Sequence, residues 1–542
     1  VRSQPGKGVF VTAGQRPDPA RPLRGTAAMR PQALIEFRAV LEPAWAALAA
    51  PTQERGVVTF TPGAVSAARA AGAAAGGRVV VDLADLGALA VRLPADAVAE
   101  LRRDGRIASV EADPLRRLMA HPGRSASPLA AAGETVPYGI GMVQADQLGF
   151  AAASAPRVCI IDSGYDLAHE DLQKSRVGGV NLTGVGDWNT DENSHGTHVA
   201  GTIAALGGNG VGVVGVVPGG TLPLTIAKVF DASGTAPSSA ILKGVRQCAR
   251  AGARIINMSL GGGAPTRFEA SVYQRMADRG ILVIAAAGNG GDGAVSYPAG
   301  YPSVMSVAAV DANGARAGFS QFNADVEIAA PGVGTLSTVP PFLASLGRLT
   351  VGASAYAVQP LEGSPRLGVT APLADFGLGL AAAPGTMTGK VCLIARGQAD
   401  FSTKVLNCEA SGGVGAVVYN NTAGPLLGTL GGVATAIPSV GATQADGAQM
   451  LTQLGATATV SVEPDPALYG ELSGTSMATP HVAGVAALVW SNHPACTGAQ
   501  IRSTLQKSAL DLGAAGRDDE FGFGLVQARA ASDRIASLGC GN

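Results

Sequence analysis

The hydrophobic and polar positions predict a small mixed domain at the front of the chain. Residues 1–32 show little periodicity, and we interpret them as a flexible extension. From Gly56 onward, period-two and helical patterns predict a strand, a helix, two strands, a helix and a last strand, at 57–60, 64–75, 78–83, 86–93, 95–103 and 107–111. This order is that of the ferredoxin-like split arrangement, so we predict a compact α+β domain over 33–120.

A segment rich in Pro, Gly and Ala follows at 114–133. Such a composition favours turns and irregular backbone, which proteases cut readily. We therefore predict a loose processing linker at 121–133, with a cut between His121 and Glu134.

The pattern then changes to buried strands that alternate with helices. Helical stretches such as 196–205 and 239–251 are separated by continuous apolar runs at 157–161, 226–230, 254–258 and 281–286. This alternation predicts an α/β fold over 134–340 and 465–542, with a parallel sheet and helices on both of its faces. Between these parts, 341–464 is rich in Gly and Val and prone to β-structure, which predicts an inserted β-rich domain.

Composition and charge exclude several classes of protein. The 542 residues carry 39 Lys+Arg and 40 Asp+Glu, and this near-neutral balance argues against a nucleic-acid-binding protein. Apolar residues make up 47% of the chain, which excludes global disorder. No uninterrupted apolar run approaches the roughly 18 residues of a membrane span, so we expect no membrane association. Up to Gly133 there are 17 basic and 11 acidic residues, and from Glu134 onward 22 and 29, which suggests that the front segment and the body attract each other.

The six cysteines favour disulfides over a structural zinc site, because no CxxC pair or Cys/His cluster has the spacing of a zinc site. Proximity along the chain suggests the pairs Cys392 with Cys408 and Cys496 with Cys540, which leaves Cys159 with Cys248. The sequence alone does not fix the pairing, and six unpaired buried thiols are the alternative.

Three motifs supply the parts of an activated serine. Asp162 ends an apolar strand, whereas His195 and Ser476 each open a predicted helix. A serine hydroxyl becomes a nucleophile when an imidazole accepts its proton, and the imidazole needs a carboxylate to orient it. Free backbone N–H groups at a helix start also favour developing negative charge.

Four sequence blocks resemble the signature blocks of subtilisin-like serine proteases, the subtilases. They read VCIIDSG at 158–164, HGTHVAG at 195–201, AAGN at 286–289 and GTSMATPH at 474–481, in the order Asp, His, Ser of that family. The front segment resembles subtilase propeptides in its order of elements, and the insert resembles a protease-associated domain. The resemblance implies a serine endopeptidase that cleaves polypeptides through an acyl-enzyme and is made as a zymogen, with the propeptide as its own inhibitor. It also implies a secreted monomer, and since the chain begins at Val1 without a leader, we expect any secretion signal to have been removed already or to be left out of this sequence.

The resemblance assigns roles to residues at matching positions. It implies that Ser476 is the nucleophile, His195 the general base and Asp162 its orienting partner, with Asn289 as a donor to the oxyanion. Two backbone edges would hold an extended substrate, and they comprise Gly234, Thr235 and Ala236 on one side and Ser259, Leu260 and Gly261 on the other. The primary pocket contains no acidic residue, so we expect broad specificity with an uncharged or apolar side chain before the cut bond; its lining residues would be Gly261, Ala286, Gly288 and Ser296.

A structural Ca²⁺ site is also implied by the resemblance. Hard oxygen ligands in a Gly-rich loop suit this ion. The ligands would be Asp171, Asn209, the carbonyls of Leu206, Val211 and Val213, and Glu134 at the mature N-terminus. A plain glycine turn at 206–213 is the alternative.

Other functions are open to consideration at this point. An esterase would explain the elbow-like Gly474, Ser476 and Ala478, but it requires a triad histidine downstream, where the chain offers only His481 and His493. A binding protein could use the insert while its body is inert, and in an enzyme the insert could gate the cleft or dock protein substrates.

His198 lies one turn after His195, and we interpret it as structural rather than as half of an HxxH metal pair.

Overall fold

The computed structural model describes residues 53–542 except 95–96, 120, 127–132, 344, 427 and 431–432. Residues 55–542 form one compact unit. The predicted extension at 1–32, the stretch 33–52 of the predicted front domain and part of the predicted linker lie outside the described residues. Within the described part of the chain, no helix is long and apolar enough to cross a bilayer.

The front segment forms a four-stranded sheet with two helices. The strands lie in the order β2-β3-β1-β4, which is the split arrangement that the pattern predicts. Apolar side chains of the sheet and helices, among them Val58, Leu89 and Leu101, form its own small core. The elements are β1 (Gln53–Phe60), α1 (Val65–Ala74), β2 (Arg78–Leu83), β3 (Ala88–Pro94), α2 (Ala97–Leu101) and β4 (Ile107–Ala112).

The two segments that follow are strands, and the second of them, at 121–126, lies within the stretch where we predict a linker. One three-stranded sheet has β5 (Leu115–Leu118) between β10 (Thr235–Pro237) and β12 (Leu260–Gly261). A second has β25 (Tyr469–Ser473) between β16 (Thr335–Thr338) and β6 (His121–Ala126). The partner strands lie far away in sequence, and a local pattern contains no information about such pairing.

The body contains a seven-stranded sheet whose neighbouring strands are all parallel, in the order β15-β14-β13-β11-β7-β9-β8. Along β7, Val158 and Ile160 face one apolar core, while Cys159 and Ile161 face the other. Helices cover both faces, as the alternation of strands and helices predicts. The strands are β7 (Val158–Asp162), β8 (Val177–Asn181), β9 (Leu224–Lys228), β11 (Ile255–Met258), β13 (Leu282–Ala286), β14 (Val304–Val310) and β15 (Ile328–Pro331).

One of the helices of the body runs through the centre of the molecule. This helix, α9 (Thr475–Asn492), is buried at nearly every position, because it packs between the sheet and other helices. The remaining helices of the body are α3 (Tyr138–Met142), α4 (His195–Ala204), α5 (Ser238–Arg250), α6 (Arg267–Asp278), α10 (Gly498–Lys507) and α11 (Ala528–Leu538). Short 3₁₀ turns lie at Ala84–Leu86, Ala145–Gln147 and Ala152–Ser154.

The inserted domain has a sheet of its own, in the order β18-β17-β24-β20-β21-β22-β23-β19. The chain enters and leaves it through two adjacent backbones, since the Val339 N–H donates to the Leu468 carbonyl at 2.7 Å and the Phe342 N–H to the Asp465 carbonyl at 2.6 Å. Its elements are β17 (Ser345–Val351), β18 (Ser354–Tyr356), β19 (Gln359–Pro360), β20 (Gly368–Asp375), β21 (Val391–Ala395), α7 (Phe401–Ala410), β22 (Gly415–Tyr419), β23 (Ser439–Ala442), α8 (Gln444–Leu451) and β24 (Thr457–Pro464).

All six cysteines are disulfide-bonded, so the alternative of free thiols is wrong. The pairs are those that chain proximity suggests, namely Cys159–Cys248, Cys392–Cys408 and Cys496–Cys540. The first joins β7 to α5, and the second joins β21 to α7. The third joins the loop before α10 to the residues after α11.

Candidate active site

The carboxylate of Asp162 and the imidazole of His195 form a buried pair. Asp162 is the last residue of β7, and its Oδ1 lies 2.8 Å from His195 Nδ1 and accepts from the Ser163 N–H at 2.8 Å. A carboxylate at this position keeps the proton on Nδ1 and leaves Nε2 as an acceptor. Within the described part of the chain, His195 Nε2 is buried and has no hydrogen-bond partner. The ring is therefore arranged to accept a proton at Nε2.

Asp191 holds the start of the helix that carries His195, and the motif analysis did not identify it. Its Oδ1 accepts from the Ser194 N–H at 2.8 Å, and its Oδ2 accepts from the Thr197 N–H at 2.8 Å and from the Thr197 hydroxyl at 2.7 Å. These bonds satisfy N–H groups that a helix start leaves free. An Asp a few residues before a predicted helix is a capping signal in the sequence, and it could have revealed this residue.

Ser476 lies at the start of α9, which packs against α4. Its Oγ donates to the Ser259 carbonyl at 2.8 Å and is not hydrogen-bonded to His195. The structure thus brings Asp162 and His195 into direct contact, while the serine hydroxyl has a backbone acceptor.

A single carbonyl oxygen accepts two converging hydrogen bonds next to Ser476. The carbonyl of Met119 accepts from Asn289 Nδ2 at 2.7 Å and from the Ser476 N–H at 3.2 Å. The Asn289 amide is fixed because its Oδ1 accepts from the Thr475 N–H at 2.9 Å and from the Thr475 hydroxyl at 2.8 Å. Two donors on one carbonyl oxygen polarise its C=O bond and stabilise negative charge on the oxygen.

The two predicted substrate-binding edges both contact the segment 115–119. The Leu118 N–H donates to the Gly234 carbonyl at 3.0 Å, and the Met119 N–H donates to the Ser259 carbonyl at 3.3 Å. The other four predicted residues are paired with β5 itself. Thr235 and Ala236 pair with it from β10, and Leu260 and Gly261 pair with it from β12. All six predicted residues therefore hold an extended strand of the same chain.

The four residues predicted for the primary pocket lie close to one another. A Cβ atom added at Gly261 would lie 2.5 Å from Ser296 Oγ, 2.9 Å from the Met119 methyl carbon and 3.6 Å from the Ala286 carbonyl oxygen. Gly288, at φ +117°, is also a neighbour of Ser296, since a Cβ there would lie 3.2 Å from Ser296 Cβ. The Met119 methyl group therefore lies beside Gly261, which has to be small to admit it.

The predicted calcium ligands are also clustered. Asp171 is fully buried, and its two oxygens accept from Asn209 Nδ2 at 2.7 Å and from the Val213 N–H at 2.8 Å. The loop 206–213 is tied to the rest of the cluster by a bond from the Asn209 N–H to Glu134 Oε2 at 3.2 Å and one from the Leu206 N–H to the Asp171 carbonyl at 3.0 Å. Val211, by contrast, is 38% exposed, and its N–H donates to Asn209 Oδ1.

The chemistry of this cluster fits a hard cation. Burial, followed by the charges of Glu134 and Glu170, raises the pKa of Asp171 to about 6. Among the described residues, no Lys or Arg forms an ion pair with Asp171. Among all the described residues, no group of three or more His, Cys, Asp or Glu side chains is arranged to hold a metal ion. A cation here would depend on one buried carboxylate together with amide and backbone oxygens, which is a set that Ca²⁺ accepts.

The remaining histidines of the predicted motifs have packing positions. His198 Nε2 lies 2.9 Å from the Thr335 carbonyl and 3.1 Å from the Gly470 carbonyl, so its ring joins α4 to β16 and β25. His481 Nδ1 lies 2.8 Å from the Met477 carbonyl of its own helix, and His493 Nε2 lies 2.9 Å from Ser532 Oγ. Since His481 bonds within its own helix, this contact does not support the triad that an esterase would need.

The front sheet contacts the body through acidic side chains. Asp85 pairs with Arg246 at 2.6 Å and with Arg250 at 2.8 Å. Glu111 Oε2 accepts from the Arg267 N–H at 2.8 Å, and Asp113 Oδ1 accepts from the Ser239 N–H at 2.8 Å, so each carboxylate caps a helix of the body. These contacts of the front sheet have the opposite polarity to the one expected from the net charges of the two parts. Arg116 of β5, by contrast, pairs with Glu269 of the body in the expected sense.

Comparison with known proteins gives two family matches. The model of the subtilase family matches residues 153–352 and 415–524, and the model of the PA domain matches residues 365–450. Together the two subtilase segments cover more than half of the chain.

Individual relatives agree with these matches. The chain is 43% identical to subtilisin DY of Bacillus licheniformis over 214 residues, which is 38% of this chain and 76% of that protein. It is 29% identical to subtilisin NAT of Bacillus subtilis subsp. natto over 464 residues, which is 84% of each protein. Among solved structures, the psychrophilic subtilisin-like protease Apa1 from the Antarctic psychrotroph Pseudoalteromonas sp. AS-11 matches with a TM-score of 0.53 and 39% identity, covering 76% of this chain and all of that one.

Proposed function

The chain belongs to the subtilase family of serine endopeptidases, and on that basis we propose that Ser476, His195 and Asp162 are the catalytic triad with which it hydrolyses polypeptides. The observation that carries the proposal is the Met119 carbonyl, whose oxygen accepts from both Asn289 Nδ2 and the Ser476 N–H. A peptide carbonyl held in this way is next to the serine that would attack it.

The mechanism follows from the positions of these groups. The Ser476 hydroxyl first donates to the Ser259 carbonyl. When the side chain rotates, the hydroxyl donates to His195 Nε2 instead. As Oγ attacks the carbonyl carbon, Nε2 takes the proton, and Asp162 stabilises the imidazolium through Nδ1–H. His195 then protonates the leaving amine, which leaves an acyl-enzyme that water hydrolyses with the same ring as base.

Asn289 and the Ser476 N–H would stabilise the oxyanion of each tetrahedral intermediate. Removal of one such side-chain donor lowers kcat about 10²–10³-fold, a magnitude measured in subtilisin itself, a relative of this chain. The bonds from Thr475 hold the Asn289 amide in place before the reaction, so no free energy of reorganisation is required at the moment when charge develops.

We propose that the first substrate is the chain itself, as in a zymogen that processes itself. The segment β5 lies on one side of the Met119–Ala120 bond and β6 on the other, and both are paired with strands of the body. This arrangement favours the Met119–Ala120 bond as the processing site, just before the window between His121 and Glu134 that the sequence suggests. The front domain at 33–120 would then remain in the cleft as an inhibitor, because its last strand fills both substrate edges.

Specificity, calcium binding and location complete the proposal. Met119 in the primary pocket supports a broad preference for uncharged or apolar residues before the cut bond. Asp171, Asn209 and the carbonyls of the loop 206–213 would hold a Ca²⁺ ion, with Glu134 nearby, and the ion would supply structural cross-linking. The three disulfides support secretion, since such bonds persist in oxidising compartments.

The test is the variant Ser476→Ala in the full chain. The unmodified protein should convert itself to a shorter form with Ala120 at its N-terminus, and the variant should remain at full length, as read by intact mass and N-terminal sequencing. Ser503→Ala, a serine of α10 whose hydroxyl donates to the Gly541 carbonyl, should mature normally. Maturation of the Ser476→Ala protein without added protease would refute the proposal.

A further inference from the structure

The register of the front strand places one arginine in a buried pocket of the body. Counting back from the Met119–Ala120 bond, Met119 is the first residue before the cut, and Arg116 is the fourth. Arg116 pairs with Ala236 across β10, and it is fully buried although Leu115 and Arg117 on either side are exposed. Because side chains alternate along a strand, Arg116 points into the body while its neighbours point to solvent.

The pocket around Arg116 is shaped for a guanidinium group. Its Nη2 lies 2.5 Å from Glu269 Oε2, and its Nε lies 3.4 Å from Glu269 Oε1. Nη2 also donates to the Ala264 carbonyl at 3.0 Å, and Nη1 donates to the Gly262 carbonyl. A carboxylate and two carbonyls that accept from three nitrogens of one side chain match the forked donors of arginine better than the single ammonium of lysine.

The groups that form the pocket belong to the body, and Glu269 has partners in the body besides Arg116. Glu269 lies in the first turn of α6, and its carboxylate accepts from the Tyr301 hydroxyl at 2.8 Å. Its backbone N–H is bonded to Thr266 Oγ1 at 3.1 Å. Gly263, at φ +68°, leaves the space for the guanidinium, since a Cβ there would overlap Arg116 Nη1. The bonds of Glu269 with Thr266 and Tyr301 do not involve the front strand, so they are available when that strand leaves.

We propose that Glu269 makes the fourth substrate position before the cut bond selective for arginine, so that this protease acts on polypeptides with Arg at that position and an apolar residue at the cut. The proposal rests on the proposed function and deepens it. Both side chains of the Arg116–Glu269 pair are fully buried, and a substrate with an apolar residue there would leave the carboxylate desolvated without its partner. Such an unpaired buried charge is costly, and this cost discriminates against the wrong substrate.

Peptides that differ at one position test the inference. The matured enzyme would be assayed with the fluorogenic peptides acetyl-Arg-Arg-Leu-Met and acetyl-Leu-Arg-Leu-Met, which copy residues 116–119 and vary only the fourth position. We expect kcat/KM to be at least ~30-fold higher for the Arg peptide, with a Lys peptide between the two. Equal values for Arg and Leu, or for Arg and Lys, would overturn the guanidinium pocket.

Variants locate the preference in Glu269. Glu269→Leu should lose the preference for Arg and gain one for Leu, whereas Asp278→Ala, at the exposed end of the same helix, should behave as the unmodified enzyme. If Glu269→Leu does not mature because Arg116 no longer fits, the double variant Glu269→Leu with Arg116→Leu should mature and prefer the Leu peptide. A Glu269→Leu enzyme that still prefers Arg would overturn the assignment.

Labelling with a fluorophosphonate separates this proposal from the proposed function. Labelled Ser476 together with no advantage for the Arg peptide overturns the arginine pocket alone. Absence of both labelling and peptide cleavage overturns the proposed function.

Discussion

His481 is a fully buried imidazole five positions after Ser476 in the central helix α9. Its Nδ1–H donates to the Met477 carbonyl at 2.8 Å, and the ring fits against Gly139, where any side chain would overlap it. Burial is the main reason that the pKa of His481 is lowered to about 4, since the imidazolium cannot be solvated inside the core. The folded state therefore holds this ring neutral.

This burial predicts a loss of stability in mild acid. A histidine with a lowered pKa in the folded state contributes stability that is complete above its unfolded pKa of about 6.5 and is lost as the pH falls towards the folded pKa. We expect about 3 kcal/mol of unfolding free energy to be lost between pH 6.5 and pH 4, as measured by denaturant unfolding of the Ser476→Ala protein. When His481→Gln is added to the Ser476→Ala protein, the loss of unfolding free energy between pH 6.5 and pH 4 should be smaller. His493→Gln, which replaces a less buried ring, should reduce that loss by a smaller amount. Parallel pH profiles for His481→Gln and its parent would contradict the prediction.

At the scale of single residues, local motifs predict candidate catalytic residues but not every contact. Asp162, His195, Ser476 and Asn289 each lie in a short block whose sequence determines its own turn or helix start, so their positions follow from the sequence. Glu269 lies in no such block. Its one signal in the sequence is that it is a charged residue on the apolar face of α6, between buried residues such as Phe268 and Val272. Its partner Arg116 lies 153 residues away, and only the folded chain brings the two together.

At the scale of elements, helix α5 depends on the front segment for its N-terminal cap. Within α5 no side chain of its own N-cap residue accepts a hydrogen bond, and the cap is instead Asp113, which accepts from the Ser239 N–H and hydroxyl at 2.8 and 2.7 Å. Arg55 of β1 holds the same carboxylate at 2.5 Å. Asp113 is thus bonded to the front sheet and to the body at once.

Removal of this cap should speed the release of the front segment after processing. The variant Asp113→Ala loses a cap of about 1 kcal/mol, so the front segment should dissociate about fivefold faster. The measurement is the lag between cleavage of the chain, seen on a gel, and the appearance of activity on a small peptide. Asp104→Ala, which removes a carboxylate paired with Arg106 in the turn before β4, serves as the control. An unchanged lag for Asp113→Ala would show that the cap does not control release.

Most elements were predictable from their own pattern, and the exceptions share a cause. The pattern predicts β2 at 78–83 as the structure has it, and it predicts α4 to within one residue at each end. It fails at β5 and β6, which are short strands in a segment rich in turn-forming residues. These strands exist because β10, β12 and β25 present free edges to them, and the pairing supplies the hydrogen bonds that their own sequence does not specify.

At the scale of the whole molecule, the loop 206–213 connects distant parts of the chain. It is bonded to Glu134 at the start of the body and to Asp171 after β7. Its Gly212 packs against Tyr469, on the return strand from the insert, and the Tyr469 hydroxyl donates to Glu170 at 3.0 Å. A cation in this loop would therefore stabilise several connections at once.

Calcium removal should lower the stability of the whole body. At a free calcium concentration of 100 times Kd, the bound ion contributes about 2.7 kcal/mol to the unfolding free energy. In the Ser476→Ala protein, which avoids autolysis, excess chelator should lower Tm by several degrees, and added Ca²⁺ should restore it. Asp171→Asn should show a low Tm that neither treatment changes. A Tm of the parent that is insensitive to chelator would contradict the prediction.

The paired backbones at the entrance of the insert have a consequence for how such a protein can be rebuilt. Because the Val339 and Phe342 N–H groups bond to the Leu468 and Asp465 carbonyls, the two ends of a segment of more than 100 residues lie side by side. For the body, the insert is a long loop whose two ends are held together. The entropic cost of closing such a loop rises only slowly with its length, so the length of the insert has little effect on the stability of the body. We therefore expect that another domain whose two termini lie side by side can replace the insert at this junction, with the seven-stranded sheet of the body unchanged.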